Sequence, residues 1–204
     1  NLNKLYSYAP DRNGDRAYIR QVYQNQNPNA AAWYTNAIVA GKPIWSPIYN
    51  SADIPSELAI SASYPIYNGK KPIGVLGIDL SIHKISDFLQ KIRIAKSGTI
   101  FIVEPDGVIV ATSSRQPAFV IVNGKAKRVK ATDSSDLIIK NTARTLVKEF
   151  GNFNQIQPNK TFKLSIDNEN KFINITPYRD RFGLKWLIVA IVPESDFMTQ
   201  IYAN

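Results

Sequence analysis

A group of aromatic residues and one acid carries the most informative chemistry in this chain. Trp33 and Tyr34 are adjacent, Trp45 and Tyr49 fall in the run IWSPIY, Tyr64 and Tyr67 lie in LAISASYPIY, and Asp79 sits near the end of IGVLGIDL. Aromatic faces attract cations, and a carboxylate among them adds a charge-assisted hydrogen bond. Gathered in one concavity, Trp33, Tyr34, Trp45, Tyr49 and Tyr64 would wall a pocket for a small cationic group, with Asp79 as its counter-ion. The same residue types also serve packing, since Trp and Tyr fill small sheets and an Asp after a strand caps the next helix. By residue type alone packing is the commoner use. Both alternatives stand.

The vocabulary of catalysis is thin. The chain contains no GxSxG, no GxxxxGK[ST] and no GxGxxG. Cysteine is absent, which removes disulfides, thiol nucleophiles and Cys-ligated zinc together. His83 is the single histidine, and its place beside Lys84 at the start of an amphipathic stretch reads as helix surface. No catalytic residue, metal ligand or cofactor is expected. A periplasmic hydrolase built on two carboxylates stays as an alternative, because separations in space are not legible in a sequence.

The 204 residues include 25 Lys and Arg against 16 Asp and Glu, a net charge of +9. Residues 1–83 hold seven basic and five acidic residues, leaving eighteen and eleven in residues 84–204. Nucleic-acid binding needs cations interleaved with exposed aromatics. Here the aromatic cluster lies in the nearly neutral half and the charge in the other, so no nucleic-acid partner is expected. The only dense basic cluster, Lys125, Lys127, Arg128 and Lys130, falls in a Gly-containing segment that reads as a solvated hairpin loop. Trp186 to Val192 is the most apolar run and is strand-length, far short of a membrane span. The chain opens at Asn1 without a signal-peptide pattern, and is expected to be a piece of something longer.

The elements that must position these residues follow from patterning. Ile and Val number 38 against 11 Leu, which favours strands. Strands are expected at 2–8 and 16–23, then a helix capped by Asn29 and stopped at Gly41. Residues 58–67 and 73–80 form a hairpin in which Pro65 argues for an edge or a bulge. Helix is expected at 82–92 on the spacing of Ile82, Ile85, Phe88, Leu89 and Ile92. A second unit follows: strands at 99–103 and 108–112, an amphipathic helix at 133–150, strands at 161–166, 171–178 and 185–192, and a short terminal helix near Pro193. Hairpins imply antiparallel sheets, so the order predicts two tandem α+β units rather than a βαβ series.

At these residues the chain resembles the double Cache family, tandem PAS-like sensor domains of bacterial membrane signalling proteins. The matching strings are WYTNAIVAGKPIWSPIY at 33–49, LAISASYPIYNGKKPIGVLGIDLS at 58–81, SGTIFIVEPDGVIVATSS at 97–114 and YRDRFGLKWLIVAIVPESDF at 178–197. The resemblance implies an α+β fold of two modules, each an antiparallel sheet flanked by helices. Residues 1–83 would be a membrane-distal, ligand-binding module lacking the family's long N-terminal helix. Residues 84–97 would be a linking helix, and residues 98–204 a membrane-proximal module. In the amino-acid-binding branch a motif YxxxxRxWYxxA precedes a Tyr and later an Asp. Trp33, Tyr34, Ala37, Tyr49 and Asp79 match it, whereas Gln26 replaces the leading Tyr and Ala31 the Arg. The Arg anchors a ligand carboxylate in that branch and the Asp holds its ammonium, so the amine half is what this chain keeps.

The resemblance thus implies the extracytoplasmic, periplasmic part of a cell-membrane protein that is not itself an enzyme. It would bind an amine or amino acid through Trp33, Tyr34, Trp45, Tyr49, Tyr64 and Asp79. The partners would be the protein's own transmembrane helices, a cytoplasmic transmitter and, through the family's usual contact, a second copy. A histidine kinase is the expected owner, with a chemoreceptor or cyclase as other owners. The non-sensing alternative is a ligand-free structural or dimerisation module. The basic half would face anionic lipid and be drawn to it within about a Debye length.

Overall fold

In the computed structural model the described residues are 4–24, 27–51, 54–156 and 160–196. Thirteen strands run in chain order: β1 Lys4–Pro10, β2 Arg16–Gln24, β3 Ile44–Trp45, β4 Tyr49–Asn50, β5 Leu58–Asn68, β6 Lys71–Ser81, β7 Thr99–Val103, β8 Ile109–Thr112, β9 Phe119–Val122, β10 Lys125–Arg128, β11 Lys160–Ile166, β12 Glu169–Arg179 and β13 Lys185–Pro193. Three α-helices lie wholly within the described residues: α1 Ala32–Ala40, α2 Ile82–Lys91 and α3 Leu137–Phe150. The strand pairs with a described register are all antiparallel, as the hairpin-rich order predicts for an α+β chain. Two compact units form, one from Asn1–Pro47 and Ser61–Ile78, the other from Ile48–Ile60 and Asp79–Asn204.

In the first unit β1 pairs with β2, and Ile44 and Trp45 of β3 face Ser63 and Ala62 of β5. Helix α1 has the alanine-rich composition that favours helix, and Gly41 ends it in the left-handed region at φ 63°. The Gly41 N–H bonds the carbonyls of Ala37 and Ile38, satisfying groups the helix end leaves open. Asn27 rather than Asn29 does the capping. Its side chain accepts from Asn29 N–H at 3.1 Å and opens a short 3₁₀ turn at Pro28–Ala30, and α1 starts beyond it. Pro65 is buried in β5, two residues past the last β3 pairing. A proline can sit there because β3 asks nothing further of that stretch.

The second unit is built on a five-stranded sheet of order β11-β12-β13-β7-β8. Its register lines apolar side chains in rows: Phe101 faces Val189, which faces Ile175, while Ile191 faces Ile173. All five are fully buried, as period-two alternation requires of one face. Helix α3 contributes Ile139, Ala143 and Leu146 to the same core. The hairpin between β11 and β12 turns on Asp167 and Asn168, and that between β9 and β10 on Asn123 and Gly124. All four have φ between 51° and 74°, which matches the twist of tight hairpins.

Several expected boundaries move. The linking helix expected over 84–97 is α2, and it ends at Lys91. Ile82 and Leu89 are buried on it while Phe88 is exposed, so the apolar stripe fades before Ile92. Helix α3 begins at Leu137, because Asp136 accepts from Ile139 N–H at 3.0 Å and caps it there; residues 131–133 form a separate 3₁₀ turn. This start leaves Leu137 outside the core. The terminal helix begins at Glu194, and its expected continuation lies outside the described residues, as do Gln26 and the start of the first strand. Among the described residues no helix is long and apolar enough to cross a membrane.

The core assignment predicts a contrast within one helix. Leu146 is 0% exposed and Leu137 66%. Leu146→Ala is expected to cost about 2–5 kcal/mol and Leu137→Ala under about 0.5 kcal/mol in urea denaturation. Equal losses would contradict the packing.

Candidate functional site

The six expected site residues divide between the units. Trp33 and Tyr34 are half-buried neighbours on α1, their rings edge to face with centroids 5.7 Å apart. An α-helix offers consecutive side chains about 100° apart, so adjacent rings meet at an edge rather than stack. The position a Cβ would take on Gly77 lies 3.2 Å from the Trp33 ring, so the absence of a side chain there lets Trp33 lie against β6. Trp45 faces Ala62 across the β3–β5 pairing, and Tyr64, two residues on from Ala62, shares that face of β5. Tyr64 is exposed. Tyr67 places its hydroxyl 3.5 Å from where a Cβ of Gly41 would be.

Tyr49 and Asp79 belong to the second unit, and the structure joins them. The Tyr49 hydroxyl donates to Asp79 Oδ1 at 2.8 Å, linking β4 to β6 across 30 residues of sequence. Asp79 does not cap the following helix: Ser81 occupies the cap position of α2, without a side-chain cap bond. This removes the helix-cap use that the sequence left open for Asp79. Gly77 and Asp79 are two residues apart on β6 and so share its face. Their common signal is the string GID, where a glycine clears space and an acid follows.

Beside Tyr49, Asn50 makes an anchor that residue types did not reveal. Its amide donates to the carbonyls of Pro55 at 2.9 Å and Ala126 at 2.8 Å, while Ala126 N–H donates back to the Pro55 carbonyl. The hairpin β9–β10 therefore holds the two-residue strand that presents Tyr49. That hairpin is more engaged than a solvated loop: Arg128 pairs with Glu104 at 2.8 Å and donates to the Ile109 carbonyl. His83 is a surface residue, 3.4 Å from Asp87 one turn along α2.

A cluster of acids closes β13. Asp196 accepts from the backbone N–H of Ser97 at 2.7 Å and from its hydroxyl at 2.9 Å. Glu194 accepts from Lys163 and from Asn170. Glu169 accepts from Lys171 and from the Ser195 hydroxyl. The Lys171 hydrogen bond, then that of Ser195, holds the Glu169 carboxyl below the usual range; Lys163, then Asn170, does the same for Glu194. Among the described residues no His, Asp and Glu cluster is placed to hold a metal ion.

A family model described as Cache domain matches residues 3–201. No curated protein sequence matches the chain. Among solved structures, the ligand-binding domain of the Pseudomonas aeruginosa PAO1 amino acid chemoreceptor PctB in complex with L-Arg is similar at 19% identity and TM-score 0.59, over 92% of this chain and 69% of that one. The ligand-binding domain of Mlp24 with asparagine is similar at 16% identity and TM-score 0.55, over 87% and 61%. The extracellular domain of mmHK1S-Z3, named as a candidate histidine kinase, is similar at 16% identity and TM-score 0.55, over 94% and 62%. These likenesses are of fold, and the chain spans 61–69% of the length of those three.

The lowered carboxyls predict an acid-sensitive end of β13. Both are depressed in the folded state, so their contribution is present above the ordinary glutamate range near pH 4.3 and is lost as pH falls through the lowered values. The urea midpoint is expected to fall over that window, and less so in a Glu169→Gln, Glu194→Gln variant. Identical declines for parent and variant would show that other groups set the acid limit.

Proposed function

The chain belongs to the Cache domain family, and from that premise we propose that it is the extracytoplasmic ligand-sensing region of a membrane signalling protein. Its ligand is a small molecule bearing a positive nitrogen, an amine or an atypically held amino acid. The observation that carries this reading is the Tyr49–Asp79 hydrogen bond, which orients an exposed carboxylate on β6. A carboxylate offers about four lone-pair sites, and a hydroxyl donor fixes which way they face. An ammonium group then gains a charge-assisted hydrogen bond without the cost of ordering the acid.

Trp33, Tyr34, Trp45 and Tyr64 are the aromatic residues that the first unit offers for cation–π attraction and apolar contact. The replacement of the family Arg by Ala31 removes a bidentate anchor for carboxylate and tilts selectivity towards amines. The amino acids in the PctB and Mlp24 structures support the ligand class. In this reading residues 1–83 form the membrane-distal module and residues 98–204 the membrane-proximal one. A histidine kinase or chemoreceptor transmitter lies beyond the membrane, and a second copy completes the receptor.

Signalling follows from differential affinity, because a ligand shifts a conformational equilibrium only by binding one state more tightly. Engagement of Asp79 bears on Tyr49, and through β4 on Asn50 and the β9–β10 hairpin. It bears also on α2, which starts three residues after Asp79.

Thermal denaturation with a panel of amines, amino acids and amine-free carboxylates tests the assignment. A ligand at 100 times its Kd adds about 2.7 kcal/mol. Amines are expected to stabilise the parent, while Asp79→Asn weakens them about 10-fold or more and Tyr49→Phe less, in keeping with loss of a charged hydrogen bond. If amines fail to stabilise, or stabilise Asp79→Asn as well as the parent, the proposal fails.

A further inference from the structure

Strands β12 and β13 end in two opposed cations. Arg179 and Lys185 are register partners where the hairpin closes, and like charges directly opposite one another disfavour pairing. Neither has an ion-pair partner among the described residues. The acid next to Arg179, Asp180, turns its Oδ1 to the N–H groups of Phe182 and Leu184, both at 2.9 Å, and so shapes the turn. Glu104, a nearby acid in the adjoining β7 turn, is taken by Arg128 at 2.8 Å.

Both cations line a cavity of about 230 Å³. Its other walls include Phe153, Ile156, Pro177 and Trp186. Phe153 and Ile156 are buried and Trp186 is half-buried, so the cavity sets an apolar and aromatic surface beside the two cations and the Asn154 amide. The volume is below the 300–1,000 Å³ of drug-sized sites, which restricts an occupant to a small molecule.

We propose that this cavity is a second ligand site, specific for a small carboxylate with an apolar aryl or alkyl body. The carboxylate lies between the Arg179 guanidinium, which suits it bidentately, and the Lys185 ammonium. The hydrocarbon part rests on Phe153, Ile156, Pro177 and Trp186. An anion there replaces cross-strand repulsion by two attractions, which gives bound and empty forms different stabilities. The site is opposite in charge preference to Asp79 and stands independently of it.

Benzoate is the probe, with benzamide as its neutral counterpart and sulfate as an anion without an apolar body. The chain is titrated and followed by thermal denaturation and tryptophan fluorescence. Benzoate is expected to raise the midpoint saturably, and benzamide and sulfate to leave it in place. In an Arg179→Gln, Lys185→Gln variant, benzoate affinity is expected to fall at least 10-fold. That variant's unliganded midpoint should equal or exceed the parent's, because removing the repulsion does not harm the hairpin. Asp79→Asn is expected to keep benzoate binding, which separates this site from the amine site. The proposal is overturned if the double variant binds benzoate like the parent, if benzamide binds as well as benzoate, if sulfate acts equally, or if Asp79→Asn abolishes the effect.

Discussion

The register of β13 is the constraint on which the second unit depends. Its period of two puts Val189 and Ile191 into the core opposite Phe101, Ile175 and Ile173, and a slip of one residue would turn both outward. The same register decides the chemistry at the two ends of the strand. At one end Lys185 is set opposite Arg179; at the other Glu194, Ser195 and Asp196 reach Lys163, Glu169 and Ser97. Apolar burial, non-directional in itself, thereby fixes the position of directional and charged groups that contribute little to the core. The fold's largest energy term specifies the geometry of its smallest ones.

Much of this architecture was legible because sheets announce themselves locally. Alternation marks β12, unbroken apolar runs mark β7 and β13, and Asp167-Asn168 and Asn123-Gly124 are turn pairs whose chemistry favours positive φ. Helix starts were harder to place. Asp136 competes with the Asp133 start, and Asn27 with Asn29, and a capping side chain is chosen by the whole turn it closes rather than by its type. The end of α2 at Lys91 was hidden for a related reason. The apolar spacing continues through Ile92, yet exposed Phe88 shows that no packing partner sustains it.

The candidate site was legible as a list and not as an arrangement. Residue types pointed to Asp79 and Tyr49 separately, but a hydrogen bond spanning 30 residues depends on tertiary packing. Gly77 carries no chemistry of its own and becomes informative only when the Trp33 ring is seen beside it. Asn50 was silent because amides occur everywhere, and its two carbonyl partners come from different parts of the chain. The net charge of +9 likewise changed meaning once its members were placed. Arg128 and Lys163 are engaged by acids, while Arg179 and Lys185 face each other in the β12–β13 pairing and line one cavity.

One small element has a mechanical consequence. Strand β4 is only Tyr49 and Asn50, and neighbouring side chains on a strand leave opposite faces. Tyr49 grips β6 on one side through Asp79; Asn50 grips the β9–β10 hairpin on the other. Whatever holds one of these residues therefore holds the other, because they share a backbone fixed by the β4–β5 pairing, where Tyr49 faces Ala59 and Asn50 faces Leu58. A single peptide unit is thus a common anchor for Asp79 and for the β9–β10 hairpin.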